Sequence, residues 1–320
     1  MTDTDTAEGR TTSVPVEADG FEAGRVLTVS AAHGVHDTYT AFLPSLLPVF
    51  ISSLALSKTE AGLLTVFMQG PSLLQPFIGH LADRVSLRYL VILAPAVTAA
   101  MMSFLGVAPT YAGLAVLLVL AGVSSAGIHS VGPVMAGRLS GRSLGRGMGF
   151  WMVGGELGRT LGPIIIVTAL QMLTPQGTPW LMVAGLLMSA LLFVLLRDVA
   201  GRSPDAAAAL SWGEALRALG PLLVPLIGII IVRSFMVSAL TTYLPTFLSD
   251  EGAGLFFAGA SLSILEGAGV IGALVGGSMS DRLGRRSLLF ASMLATPLLM
   301  LAFLAADGWL YIPLLLLLGL

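Results

Sequence analysis

Apolar residues run almost unbroken through this chain, and short polar stretches cut them into lengths of roughly 20 to 30 residues. A bilayer core about 30 Å thick needs around 20 apolar residues in a helix to cross it. The pattern predicts helices at about 25–53, 59–82, 88–107, 111–137, 144–170, 178–196, 219–248, 255–280 and 287–306, with a further start at Trp309. No segment alternates polar and apolar residues in the manner of a half-buried strand. The expected fold class is therefore an all-α multi-span membrane protein.

Composition narrows the alternatives. Hydrophobic residues make up 55% of the chain and charged residues 11%, and the mean hydropathy is +0.90. A soluble domain carries about 25% charged residues. Cys is absent, which excludes disulfides and thiolate metal sites. The four His residues are scattered along the sequence, so no metal cluster is expected. Residues 1–24 are polar and mildly acidic, with neither the basic start nor the apolar core of a secretory signal, and read as a disordered cytoplasmic tail.

The net charge of −2 says little, but the placement of basic residues says much. Arg25, Arg84, Arg88, Arg138, Arg142, Arg146, Arg197, Arg202, Arg217, Arg282, Arg285 and Arg286 all fall at the tail end or in alternate loops. The opposite loops hold Lys58, Glu60, Asp250, Glu251 and Asp307. Positive residues stay inside, which puts the N-terminus in the cytoplasm of a bacterial-type cell and the chain in the inner membrane as a multi-pass protein. Trp180 and Trp309 open their spans at the outer interface.

One segment occurs twice. Gly79-His80-Leu81-Ala82-Asp83-Arg84-Val85-Ser86-Leu87-Arg88 returns as Gly277-Ser278-Met279-Ser280-Asp281-Arg282-Leu283-Gly284-Arg285-Arg286, each copy between two apolar runs. Leu43-Pro44 in the first span matches Leu244-Pro245 in the seventh, and Tyr111 opens the fourth as Tyr311 opens the tenth. Matching spans run in the same direction, which predicts parallel repeats of the kind from which many carriers are built. The halves are expected at 25–197 and 219–320, joined by a cytoplasmic linker at 198–218 in which Ser211-Trp212-Gly213-Glu214 has capping-box spacing. From Trp309 to Leu320 a helix rises only about 18 Å. A helix ending inside hydrocarbon leaves carbonyls unpaired, so the C-terminal half is expected to be truncated within its tenth span.

The duplicated loop resembles the signature between spans two and three of the major facilitator superfamily and its echo between spans eight and nine. The second copy fits at Gly277, Asp281, Arg282, Gly284, Arg285 and Arg286. The first keeps Gly79, Asp83, Arg84 and Arg88 but has Ser86 and Leu87 where the family has Gly and a basic residue. The resemblance implies two six-span, pseudo-symmetric bundles rocking about a central cavity, with these loops at the cytoplasmic gate. In the fifth span, Gly158, Gly162 and Pro163 look like the Gly-x-x-x-Gly-Pro motif of family antiporters; small residues four apart also simply permit close helix contact. The Arg that many drug/proton antiporters carry in span four is missing from Leu117–Gly122. His33-Gly34-Val35-His36-Asp37, Gln69–Pro76 and Gly122–His129 are similar to the fosmidomycin-resistance branch, which implies proton-driven export of small organic molecules.

Ionisable groups are expensive in hydrocarbon and usually mark a pathway. Here they are Asp37 in span one, Glu156 and Arg159 in span five, Arg233 in span seven and Glu266 in span eight, while spans three, six and nine hold none. In the family architecture those three spans lie against lipid. Asp37, Glu156 and Glu266 sit roughly 15–18 Å into their spans, near the midplane, and Gln69 joins them from span two. Glu156 and Arg159 are three apart and suited to pair with each other; Arg233 and Glu266 are the second possible pair. Asp37, with His33 and His36, is expected to exchange protons. Gln69, Glu156, Arg159, Arg233 and Glu266 are expected to line the substrate cavity, the two Arg offering charge to an anionic substrate. His80 and His129 are expected to pack near the cytoplasmic interface.

The expected function is secondary active transport, a proton-coupled exporter of a small organic compound working by alternating access. An importer of an organic anion or sugar on the same fold and a non-transporting fragment are the alternatives. No nucleophile–base spacing suggests an enzyme. The expected partners are a small-molecule substrate and the lipid bilayer, without nucleic acid, and the carrier is expected to be a monomer with no cofactor beyond the proton gradient.

Overall fold

The computed structural model describes residues 20–82, 85–197, 199 and 212–320. The tail through residue 19, most of the 198–218 linker with Ser211, and Asp83 and Arg84 of the first charged loop lie outside the described residues. Within them the chain forms twelve α-helices and no strand. The first half comprises α1 (Ala23–Thr40), α2 (Phe42–Leu54), α3 (Lys58–Gln69), α4 (Gln75–Ala82), α5 (Arg88–Ser103), α6 (Tyr111–Leu139), α7 (Leu144–Gly177) and α8 (Met182–Leu195). The second comprises α9 (Trp212–Asp250), α10 (Leu255–Leu283), α11 (Arg285–Leu304) and α12 (Tyr311–Gly319).

The expected spans are recovered, with three corrections. The first span is two helices, broken at Ala41, and the second is broken by a 3-10 turn over Gly70–Leu74. Proline is the cause: Pro44, Pro71 and Pro76 have no N–H for the carbonyl one turn earlier and crowd it. Pro245, the repeat partner of Pro44, leaves α9 unbroken, so the two halves are similar without being identical. The seventh span also starts earlier than expected, because α9 runs without interruption for 39 residues from Trp212.

Six stretches of the described helices are long and apolar enough to cross a membrane. One of them, Leu144–Leu195, is 52 residues long and holds two crossings. It turns back at Thr174, whose φ of 60° leaves the helical region just before Pro175. Gly284 has a φ of 85° and separates α10 from α11, a conformation that L side chains adopt only with strain. Ser86 holds the matching place in the first copy without a positive φ, so the two turns follow different paths.

Each half has its own core. Near the end of the bundle that bears the Arg-rich loops, Val26, Val29, Ile92, Val131, Trp151 and Leu192 pack together. Toward the opposite end, Phe42, Leu46, Leu64, Met102, Leu118 and Ile166 do the same. In the second half Leu244, Leu248, Leu262, Phe303 and Leu315 form a separate cluster. Outward faces of α5, α8 and α11 are apolar and exposed, with Leu93, Leu187, Val194, Phe290 and Leu298 among the residues that meet lipid.

The halves meet through α7 against α10 and α2 against α9. Away from the Arg-rich end, Lys58 and Asp250 pair at 2.5 Å, and the Tyr243 hydroxyl donates to the Lys58 carbonyl at 3.2 Å. Gly259 lies so close to Val167 that a Cβ there would sit 2.2 Å from its side chain. Toward the Arg-rich end, Met152 and Leu157 on α7 and Ile271, Leu274, Val275 and Met279 on α10 are exposed.

Candidate functional site

The site begins with a contact that only glycine permits. Along α7, Gly154, Gly158 and Gly162 lie on the backbone of α1: added Cβ atoms would be 2.2 Å from the Ser30 carbonyl oxygen, 2.2 Å from that of Gly34 and 2.3 Å from that of Thr38. Small residues let two helices approach this closely inside a membrane. The antiporter-like Gly158-x-x-x-Gly162 motif is therefore the packing seam between spans one and five. The same seam brings the charges of α7 onto Asp37.

Asp37 is 3% exposed and sits among groups from three helices. Arg159 of α7 donates to its Oδ2 at 3.2 Å. His33, one turn earlier on α1, places Nε2 at 3.4 Å from Oδ2, and His129 of α6 places Nε2 at 3.6 Å from Oδ1. His36 is fully buried, with Nε2 at 4.0 Å from Oδ1. Neither of its ring nitrogens completes a hydrogen bond, although the Ala94 backbone is close. Trp151 stacks on the His33 ring with centroids 3.8 Å apart.

Arg159 is the hub. Besides Asp37 it holds Glu156 on its own helix through Nη2, and Nε donates to Glu266 of α10 at 3.3 Å. The expected Glu156–Arg159 pair is thus present. The expected Arg233–Glu266 pair is not: Glu266 turns to Arg159, and Arg233 is exposed without an ion pair among the described residues. The reason is position, since Arg233 lies on an exposed stretch of α9, whereas α7 and α10 are in direct contact. Three carboxylates share one guanidinium, so Arg159 is not a free positive charge for an anionic substrate.

A cavity of about 190 Å³ opens beside this hub, lined by Thr40, Pro44, Gln69, Arg159, Thr241 and Glu266 among others. It contains residues from both halves and includes Gln69 as expected. A larger cavity of about 600 Å³ between α9 and α11 is lined by apolar side chains and lies apart from the charged groups.

The gate residues are only partly placed. Asp83 and Arg84 lie outside the described residues, as do the side chains of Asp281 and Arg285 and the surroundings of Gly277. Arg88 donates to the Arg197 carbonyl, tying the start of α5 to the end of the sixth span, and Gly79 has open space where a Cβ would be. Arg282 and Arg286 are exposed. Among the described residues no ion pair joins the two loops.

Two expectations from sequence need correction. The histidines are not scattered in space, since His33, His36 and His129 converge on Asp37. His129 belongs to that cluster and not to the interface: it lies ten residues before the end of α6, about 15 Å deep. The depth measure that singled out Asp37 would have found it.

The Major Facilitator Superfamily model matches residues 29–320. Among curated proteins, the chain is 23% identical over 277 residues to the fosmidomycin resistance protein of Escherichia coli K12, a match covering 83% of this chain and 67% of that one. It is 26% identical over 173 residues to the uncharacterized MFS-type transporter YfnC of Bacillus subtilis 168, covering 53% and 42%. Among solved structures, a bacterial homolog of the human lysosomal transporter Spinster, inward-facing and unoccupied, superposes with a TM-score of 0.73 at 18% identity, covering 93% of this chain and 72% of that one. The D-xylose–proton symporter gives 0.66 at 18% identity, covering 93% and 79%. With the paired helical halves and the shared midplane charges already in place, the residues matched by the family model make this chain a member of the Major Facilitator Superfamily, a membrane transporter and not an enzyme.

Proposed function

We propose that the chain is part of a proton-coupled exporter of small organic compounds that works by alternating access. One observation carries the reading: Arg159 of the first half binds Glu266 of the second at the edge of the cavity that both halves line. Such a bond holds the halves together at the midplane, and its loss frees them to move. Protonating Glu266 removes one side of the pair and leaves Arg159 to Asp37 and Glu156, the other charges that face it. Proton uptake then becomes a switch between closed and open arrangements.

Direction follows from two further points. Contacts between the halves run from the Lys58–Asp250 end to Arg159, while apolar side chains of α7 and α10 toward the Arg-rich end are exposed. With the Arg-rich loops in the cytoplasm, this arrangement favours loading from the inside. The relative from Escherichia coli is a fosmidomycin resistance protein, which supports export.

Everted inner-membrane vesicles, acidified inside and containing a pH-sensitive dye, test this reading with fosmidomycin as the first probe of a compound panel. A transported compound should discharge the gradient as protons leave in exchange. Vesicles with Glu266→Gln should bind the compound without discharging it. A gradient untouched by every compound on the panel, or discharged equally by Glu266→Gln, refutes the proposal.

A further inference from the structure

We propose that His33, His129 and Asp37 form a binding site for a divalent transition metal with zinc-like ligand preferences. The first support is the tautomers. Nδ1 of His33 lies 2.9 Å from the Trp151 carbonyl and Nδ1 of His129 lies 2.9 Å from the Ser125 carbonyl. A carbonyl only accepts, so each Nδ1 carries a proton, and a ring that holds only that proton presents its lone pair at Nε2. The two bare nitrogens face each other at 3.3 Å with the Asp37 carboxylate beside them. Electron-rich atoms in mutual contact repel unless a cation sits between them; His33 and Asp37 are buried and His129 is partly exposed. An imidazole whose other nitrogen donates to a carbonyl is the usual posture of a metal ligand.

The second support is size. The two Nε2 atoms are 3.3 Å apart, His33 Nε2 is 3.4 Å from Asp37 Oδ2 and His129 Nε2 is 3.6 Å from Asp37 Oδ1, so the carboxylate turns one oxygen to each ring. A tetrahedral ion with bonds of about 2.0–2.1 Å separates its ligands by about 1.6 times that length, or roughly 3.3–3.4 Å. The third is charge. Asp37, Glu156 and Glu266 share the single guanidinium of Arg159, so carboxylates outnumber it by two. A dication offsets that excess. Gly155 completes the cradle: a Cβ there would lie 2.5 Å from His33 Cε1 and 3.0 Å from Asp37 Oδ2. The inference does not depend on the exporter reading, and its test measures no transport.

Untagged chain, purified in detergent and stripped of metal, is titrated with Co²⁺ and then with Zn²⁺. The expected result is one equivalent of Co²⁺ with the intense visible bands of four-coordination, quenching of Trp151 through its stacked His33 partner, and displacement by Zn²⁺. His129→Ala and His129→Gln should weaken binding about 100-fold, and His80→Ala should leave it unchanged. X-ray absorption at the zinc edge of the wild-type complex should show two imidazole nitrogens and carboxylate oxygen, a readout that needs no variant to fold. Failure of the wild-type chain to take up one equivalent, a six-coordinate spectrum, or wild-type affinity in both His129 variants overturns the proposal.

Discussion

Gly158→Ala is the sharpest test of how the site is assembled. The new methyl group would lie 2.2 Å from the Gly34 carbonyl oxygen and 3.0 Å from Asp37 Cβ. Neither neighbour is the free end of a side chain: one is backbone and the other is the first atom of a buried residue. Relief therefore requires α1 and α7 to part by about 1 Å, since close-packed interiors have no slack to absorb it. That movement stretches the 3.2 Å bond between Arg159 and Asp37 toward 4 Å, where it is no longer a hydrogen bond. Overpacking of this kind costs about 1–3 kcal/mol, and each kcal/mol lowers the melting temperature by roughly 2–4 °C in a chain of this order of size. Thermal unfolding in detergent and the vesicle dye assay are read side by side. The control is on the same helix, because Gly149 has nothing within 4 Å of an added Cβ. Gly149→Ala should be neutral, whereas Gly158→Ala should lower stability and abolish gradient discharge. A Gly158→Ala protein as stable and active as Gly149→Ala would refute the seam and the claim that it positions Asp37.

Arg159→Lys should fail in the dye assay although charge is kept, because the guanidinium uses Nε, Nη1 and Nη2 for three different carboxylates and an ammonium is a single point; activity within threefold of wild type would count against the hub. Asp250→Asn should shift the melting temperature by less than about 4 °C, since the Lys58 pair is solvent-exposed and worth at most about 1 kcal/mol. It should nonetheless increase thiol labelling of a single Cys placed at Ser57, and unchanged labelling would contradict a closed contact there. A single Cys beside Arg142 should react with an impermeant reagent only in everted vesicles; reaction from the outside of intact cells would invert the proposed orientation.

The places and lengths of the apolar helices were legible because apolar length is a local property of the chain. The breaks within spans one and two were announced by Pro44, Pro71 and Pro76, yet Pro245 shows that a proline alone does not decide the matter. Glu156 and Arg159 could be paired from their spacing. The cluster around Asp37 could not, since its members come from α1, α6 and α7 and meet only because glycine brings α7 onto α1. Arg233 was misjudged for the same reason: depth along a helix is visible in sequence, but rotation about its axis and the choice of neighbour are set by packing.

Two prolines at the cavity have a consequence for how a load is recognised. Pro44 and Pro163 both line it, and each withholds a donor from the carbonyl four residues earlier, those of Thr40 and Arg159, which line it as well. Main-chain oxygens released in this way are acceptors that belong to no side chain. A ligand with N–H or O–H groups gains partners there that a side-chain scan by substitution leaves untouched. The cavity's recognition surface is in this way written partly in the backbone, which a side-chain substitution does not change.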